Sequence, residues 1–227
     1  AIAFEQLALG EEAIIRNRDL ENGLISIGAS ENALRLILLS ELEHFCARYP
    51  HVRIRLLNYS APQAVKALEN NIIDFAIVST PVLVHKHMHQ EKLISYDEIL
   101  LGGTKYKQFA QQVHYLEDIS EMPLIGLCEG SSTHTHYSRF FMEHDLPFEP
   151  DMEAAMTDQV LPMITHNLGI GFYPKSLALE AIEKELVFPI ELTEPLPNRD
   201  VVVITNNHTP INSAARRFLE FLLENRK

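Results

Sequence analysis

The stretch Gly23-Leu24-Ile25-Ser26-Ile27-Gly28-Ala29-Ser30-Glu31-Asn32 decides the fold. Its apolar half, Leu24 to Ile27, reads as a strand that stops at Gly28. A hydroxyl-bearing loop follows and opens a helix over Asn32 to Arg48, with Leu34, Ile37, Leu38, Leu42, Phe45 and Tyr49 on one face. A helix that begins just past a strand end aims its free N–H groups into the crevice above the sheet. Open α/β sheets hold small ligands in that crevice. This opening run therefore predicts a cradle of backbone dipoles for a small anion.

Working outward, Val52, Ile54 and Leu56 alternate with Arg53 and Arg55, which predicts a strand with one solvated face. Ser60-Ala61-Pro62-Gln63 has the form of a capping box, and its helix ends at Asn70-Asn71. Ile72 to Val78 is a nearly continuous apolar run, as in a buried parallel strand, interrupted by Asp74, which reads as a local cap. Strand–helix–strand–helix–strand implies right-handed crossovers and a parallel sheet with helices on both sides. Ser79 to Ser95 is polar and histidine-rich. Further strands are expected at Glu98–Leu101, Leu124–Leu127, Asp151–Met156, around Gly169 to Pro174, and at Asp200–Thr205. Thr157 reads as the N-cap of a helix reaching Asn167, with Pro162 late in its first turns. Ser213 reads as the cap of the final helix. Residues 1–22 carry a narrow helical stripe, fitting either the tail of a longer helix or a helix packed on its own domain.

The chain has 227 residues and 46% hydrophobic content, enough for one large domain or two of about 100 residues each. No apolar run approaches the ~20 residues of a membrane span. Ala1 to Glu12 lacks a basic leader, and two cysteines, Cys46 and Cys128, have no pairing motif; both point to a cytoplasmic protein. Cys128 reads as a buried structural thiol. A net charge of −12 argues against these residues gripping nucleic acid, which needs clustered Lys and Arg. His85, His87 and His89 would share one face of a strand, and His134 and His136 form a second cluster. Both read as a solvated loop and a helix start, so no metal and no cofactor is expected. No nucleophile stands near a base at readable spacing, so the chain does not read as an enzyme.

Four stretches resemble the effector-binding domain of LysR-type transcriptional regulators: Gly23 to Glu31; Phe45 to Val52; Asn71-Ile72-Ile73-Asp74-Phe75-Ala76-Ile77; and Gly169-Ile170-Gly171-Phe172-Tyr173-Pro174. Asn71 departs from the family's usual glycine, and asparagine tolerates the left-handed turn required there. The resemblance implies an α/β fold of two Rossmann-like subdomains joined by two crossover strands, like type 2 periplasmic binding proteins. Residues 1–22 would end a linker helix, following a DNA-binding helix-turn-helix that is absent from this chain. Subdomain I would be 23–97 with 200–227, and subdomain II 98–199.

In that arrangement Ser30, Glu31, Asn32, Ser79, Thr80, Ser131, Ser132 and Thr157 meet in the cleft between subdomains. Hydroxyls and free N–H groups there suit a small anionic or carboxylate metabolite. Ser and Thr also serve as ordinary N-caps. Glu129 beside the site would repel an anion unless it points away or pairs with Lys or Arg. The resemblance further implies a homodimer or tetramer with its dimer surface on the helix at 32–48 and the strand at 52–57, DNA contact only through the absent domain, and no membrane role. The alternative is a solute-binding module of the same fold for transport or chemosensing.

Overall fold

The computed structural model describes residues 23–224, so the helix expected over 1–22 lies outside the described residues. The first strand, β1 (Leu24–Ala29), leads directly into helix α1, which runs from Glu31 to Arg48 and is π-wound over Leu34–Leu38. Then come β2 (Arg53–Asn58), α2 (Ala61–Glu69), β3 (Phe75–Ser79) and β4 (Met88–Tyr96). The chain turns at Asp97 into β5 (Glu98–Gly103) and continues through β6 (Val113–His114), α3 (Leu116–Ile119), β7 (Leu124–Leu127) and α4 (Ser132–Met142). It goes on through β8 (Met152–Ala154), α5 (Thr157–Thr165), β9 (Ile170–Pro174), α6 (Lys175–Glu183) and β10 (Val187–Leu192). Finally β11 (Arg199–Asn206) returns to the first lobe, which α7 (Ser213–Glu224) completes.

Two sheets result, ordered β2-β1-β3-β11-β4 and β6-β10-β5-β9-β7-β8. The parallel expectation holds for β2, β1 and β3 and for β8, β7 and β9. By contrast, β11 runs antiparallel to β3 and to β4, and β5 runs antiparallel to β9. The crossover strands enter each sheet against its parallel core because the chain changes lobes there.

Period-two alternation splits each strand between two cores. In β3, Phe75 and Ile77 pack with α1 and α7, whereas Ala76 and Val78 pack with α2. In β5, Leu100 packs toward Phe140 and Phe141 of α4, and Leu101 toward Ile164 of α5. Each sheet is therefore covered on both faces, which leaves its strand tips as the open edge. Gly28 stands at the turn out of β1, where an added Cβ would lie 2.5 Å from Ile73 Cδ1.

Several local expectations shift. The apolar run at 72–78 forms a strand only from Phe75, because Asn71 takes a left-handed turn at φ 55 and Asp74 caps the backbone N–H of Ser26 at 2.7 Å. Thr157 is the first helical residue of α5 rather than its cap; Gln159 Oε1 instead accepts the N–H groups of Ala155 at 2.9 Å and Met156 at 3.1 Å. Asn212, not Ser213, caps α7, its Oδ1 accepting the Ala215 N–H at 2.9 Å. β2 lies on the sheet edge, and Leu56 stays exposed beside Arg53 and Arg55 instead of marking a buried face.

Candidate functional site

The strand tips of both sheets and the openings of α1, α2, α4 and α5 enclose one cleft of about 400 Å³. Ser30, Glu31, Asn32 and Ser79 line it from the first lobe, and Ser131, Ser132 and Thr157 from the second. Of the residues expected there, Thr80 alone turns away. Its Oγ1 accepts the Asp200 N–H at 3.0 Å and its carbonyl accepts Arg199 Nε at 2.8 Å, so Thr80 ties β3 to the returning strand.

Two serines sit at the helix openings from opposite sides. Ser30 Oγ accepts the Ala33 N–H at 3.4 Å and the Ser79 N–H at 3.2 Å. Ser131 Oγ accepts the His134 N–H at 3.0 Å. Capping occupies their lone pairs and leaves each hydroxyl proton to donate. Capping and ligand binding are therefore compatible roles for the same side chain. The first-turn N–H groups of α1 and α4 have no partner within their helices and add a partial positive charge at each opening. Gly130 (φ 84) makes the left-handed turn that brings Ser131 to the rim.

The cleft floor is polar and buried. Asn32 is 3% and Ser79 2% exposed. Asn32 Nδ2 donates to Tyr96 OH at 3.3 Å, while its Oδ1 has no hydrogen-bond partner among the described residues. A buried acceptor left unpaired costs about 1–3 kcal/mol. Beneath the floor lies a buried network across the crossover. Arg199 Nη1 reaches Glu98 Oε1 at 3.2 Å and Thr133 Oγ1 at 3.0 Å, and Tyr137 OH donates to Glu98 Oε2 at 2.5 Å. Burial, and then the Glu98 carboxylate, hold the Tyr137 hydroxyl well above its ordinary range, so it stays a donor. Burial pushes Tyr96 up to about 12, against the pull of Arg199. A second bridge between lobes is Arg35 Nη1 to Tyr173 OH at 2.7 Å.

Among the described residues no Lys, Arg or His lines the cleft, and two carboxylates do. Glu31 Oε2 accepts only Asn58 Nδ2, at 3.3 Å. Glu129 is exposed on the opposite wall. Cys128 also lines the cleft and is half-buried, not the sealed thiol expected from its strand-end position.

The histidines lie elsewhere. His85 and His87 lie in the loop before β4, and only His89 lies on the strand. His85 Nε2 is 3.0 Å from a Glu69 oxygen, and His87 stacks on His208 at 4.8 Å. His134 Nδ1 lies 3.2 Å from Ser138 Oγ. His136 is held down to about 4 by burial and then by the Arg199 charge.

Thr133, Tyr96, Glu98 and Arg199 were not legible as site residues. The signal available was a charge at the start of each of two apolar strands, Glu98 and Arg199. Their pairing spans 101 positions and becomes visible only with the topology in hand.

The chain matches the LysR substrate binding domain family over residues 18–227. It is 24% identical over 206 residues to a probable RuBisCO transcriptional regulator of Chlorokybus atmophyticus, covering 88% of this chain and 66% of that protein. The chain thus spans about two-thirds of that relative's length. Its fold is shared with the CcmR regulatory domain of Synechocystis PCC6803 in complex with 2-PG, at TM-score 0.79, 15% identity, and coverage of 90% of this chain and 97% of that one. The effector binding domain of QuiR in complex with shikimate is similar at TM-score 0.78, also 15% identical, with the same two coverages of 90% and 97%.

Proposed function

This chain belongs to the LysR substrate binding domain family, and from that premise we propose that it is the effector-sensing part of a bacterial transcriptional regulator that holds a small carboxylate between its lobes. The observation that carries this reading is the convergence of Ser30 and Ser131, each with a free hydroxyl proton at a helix opening, on one cleft from opposite lobes. Two donors and two dipole ends aimed at one volume match a carboxylate better than a neutral solute. Shikimate, seen with the QuiR domain, is such an acid.

A ligand touching both lobes favours the closure state in which both sets of contacts form. It shifts that equilibrium only by its difference in affinity between states, typically ~1–3 kcal/mol. The bias passes along a dimer formed through α1 and β2 to DNA-binding heads joined through residues 1–22. The two serines accept backbone amides and are not held by a histidine base, which supports binding over catalysis. Among the described residues no helix is long and apolar enough to cross a membrane.

Thermal shift against a panel of small carboxylates tests the proposal. The parent domain is expected to gain several degrees with one of them. S30A/S131A melts lower without ligand, because each lost cap costs about 0.5–2 kcal/mol, and gains nothing when ligand is added. Equal gains in parent and variant would contradict the reading.

A further inference from the structure

Resting on the carboxylate reading above, we infer that the ligand is a zwitterion: its carboxylate meets the helix openings at Ser30 and Ser131, and an ammonium group meets Glu31 and Glu129. The charges of the cleft carry this. Each helix opening is worth about half a positive charge, and the openings of α1, α2, α4 and α5 all line the cleft, together about two positive charges. Against that stand two full negative charges and, among the described residues, no cationic side chain on the lining. Arg35, one turn along α1 from Glu31, is turned to the Tyr173 hydroxyl. Neither glutamate has a salt-bridge partner among the described residues.

A dianion such as a dicarboxylate or a phosphate ester would place its second charge beside these carboxylates with no cationic side chain among the described residues to offset it. An ammonium group has three N–H donors and no acceptor, and the cleft offers acceptors to match. One is a Glu31 carboxylate that accepts a single long hydrogen bond from Asn58, and another is the Glu129 carboxylate on the facing wall. A third is Asn32 Oδ1, on a residue 3% exposed; this oxygen has no hydrogen-bond partner among the described residues. The buried oxygen is an independent sign that a donor belongs in this volume. The acidic groups come from both lobes, as the hydroxyls do, so one zwitterion engages both lobes with both of its charges. A small α-amino acid or an amino acid derivative has this pattern.

The test uses matched trios: the proteinogenic L-amino acids, the 2-hydroxy acids of the same skeletons, and the corresponding amines lacking the carboxylate. Each is screened by thermal shift on the domain, with isothermal titration for any that act. One or more amino acids are expected to stabilise the parent, with the matched hydroxy acid and amine binding at least about tenfold more weakly. E31Q/E129Q should bind that amino acid about tenfold more weakly and lose most of the preference for it over the hydroxy acid. S30A/S131A should lose both ligands. A hydroxy acid or dicarboxylate that binds the parent as well as any amino acid overturns the zwitterion and leaves the carboxylate reading standing. Undiminished discrimination in E31Q/E129Q overturns it as well. A panel in which nothing shifts the parent overturns both.

Discussion

Arg199 Nη1 donates to Thr133 Oγ1 at 3.0 Å, joining the strand that returns between the lobes to the helix opening that faces the cleft. The same guanidinium is fully buried against Glu98, which stands at the start of the outgoing crossover. One ion pair thus joins the two crossovers and reaches the cleft wall through Thr133.

Removing one member leaves the other charged and sealed from water, which costs about 3–5 kcal/mol. R199M is therefore expected to lower the melting temperature by about 10 °C or more in a domain of this size. R199M/E98Q should recover much of the loss, because the uncompensated carboxylate is gone. A fall of only a few degrees in R199M would contradict the assignment of this pair as sealed.

His136 sets a pH dependence. Its imidazole titrates near 4 in the folded chain against an ordinary 6.5. Between those values the unfolded chain binds the proton and the folded one does not, so stability is full above about pH 6.5 and falls as the pH drops toward 4. Urea unfolding is expected to show a loss of about 1–2 kcal/mol between about pH 7.5 and about pH 5 that H136F lacks. Parallel pH profiles in parent and H136F would remove this residue from the account.

Cys128 reports on the cleft from within it, and Cys46 is an exposed control far along the chain on α1. A ligand between the lobes should slow alkylation of Cys128 severalfold and leave Cys46 unchanged. Peptide mass mapping of a timed iodoacetamide reaction reads both sites in one sample. Equal rates at Cys128 with and without a stabilising ligand would place that ligand elsewhere.

Much of the first lobe was legible because its rules are local. Gly28 and Ser30 mark the turn from β1 to α1, and Asn71 adopts the left-handed turn its position requires. The polar strand β4 was hidden because it lies at a sheet edge, paired on one side with β11, and most of its middle faces solvent. β10 was masked by Pro189 within its run, and the π-wound turn of α1 has no sequence signature. The serines of the cleft could be named because the resemblance brings their strand ends and helix starts to one place, although a hydroxyl at a helix start is by itself an ordinary cap. Thr80 was misplaced because its strand tip bends toward β11, and only the Arg199 and Asp200 contacts reveal that. The Glu98–Arg199 network escaped because partners 101 positions apart meet only through the order of the strands.

The central claim is that one small acid bridges Ser30 and Ser131 across the cleft. A crystal structure of the domain with the compound that stabilises it most tests this directly. The expected result is a ligand carboxylate within hydrogen-bond distance, about 2.5–3.2 Å, of the Ser30 and Ser131 hydroxyls or the amides beside them. Density for that compound on an outer face, with the cleft holding only solvent, would contradict it.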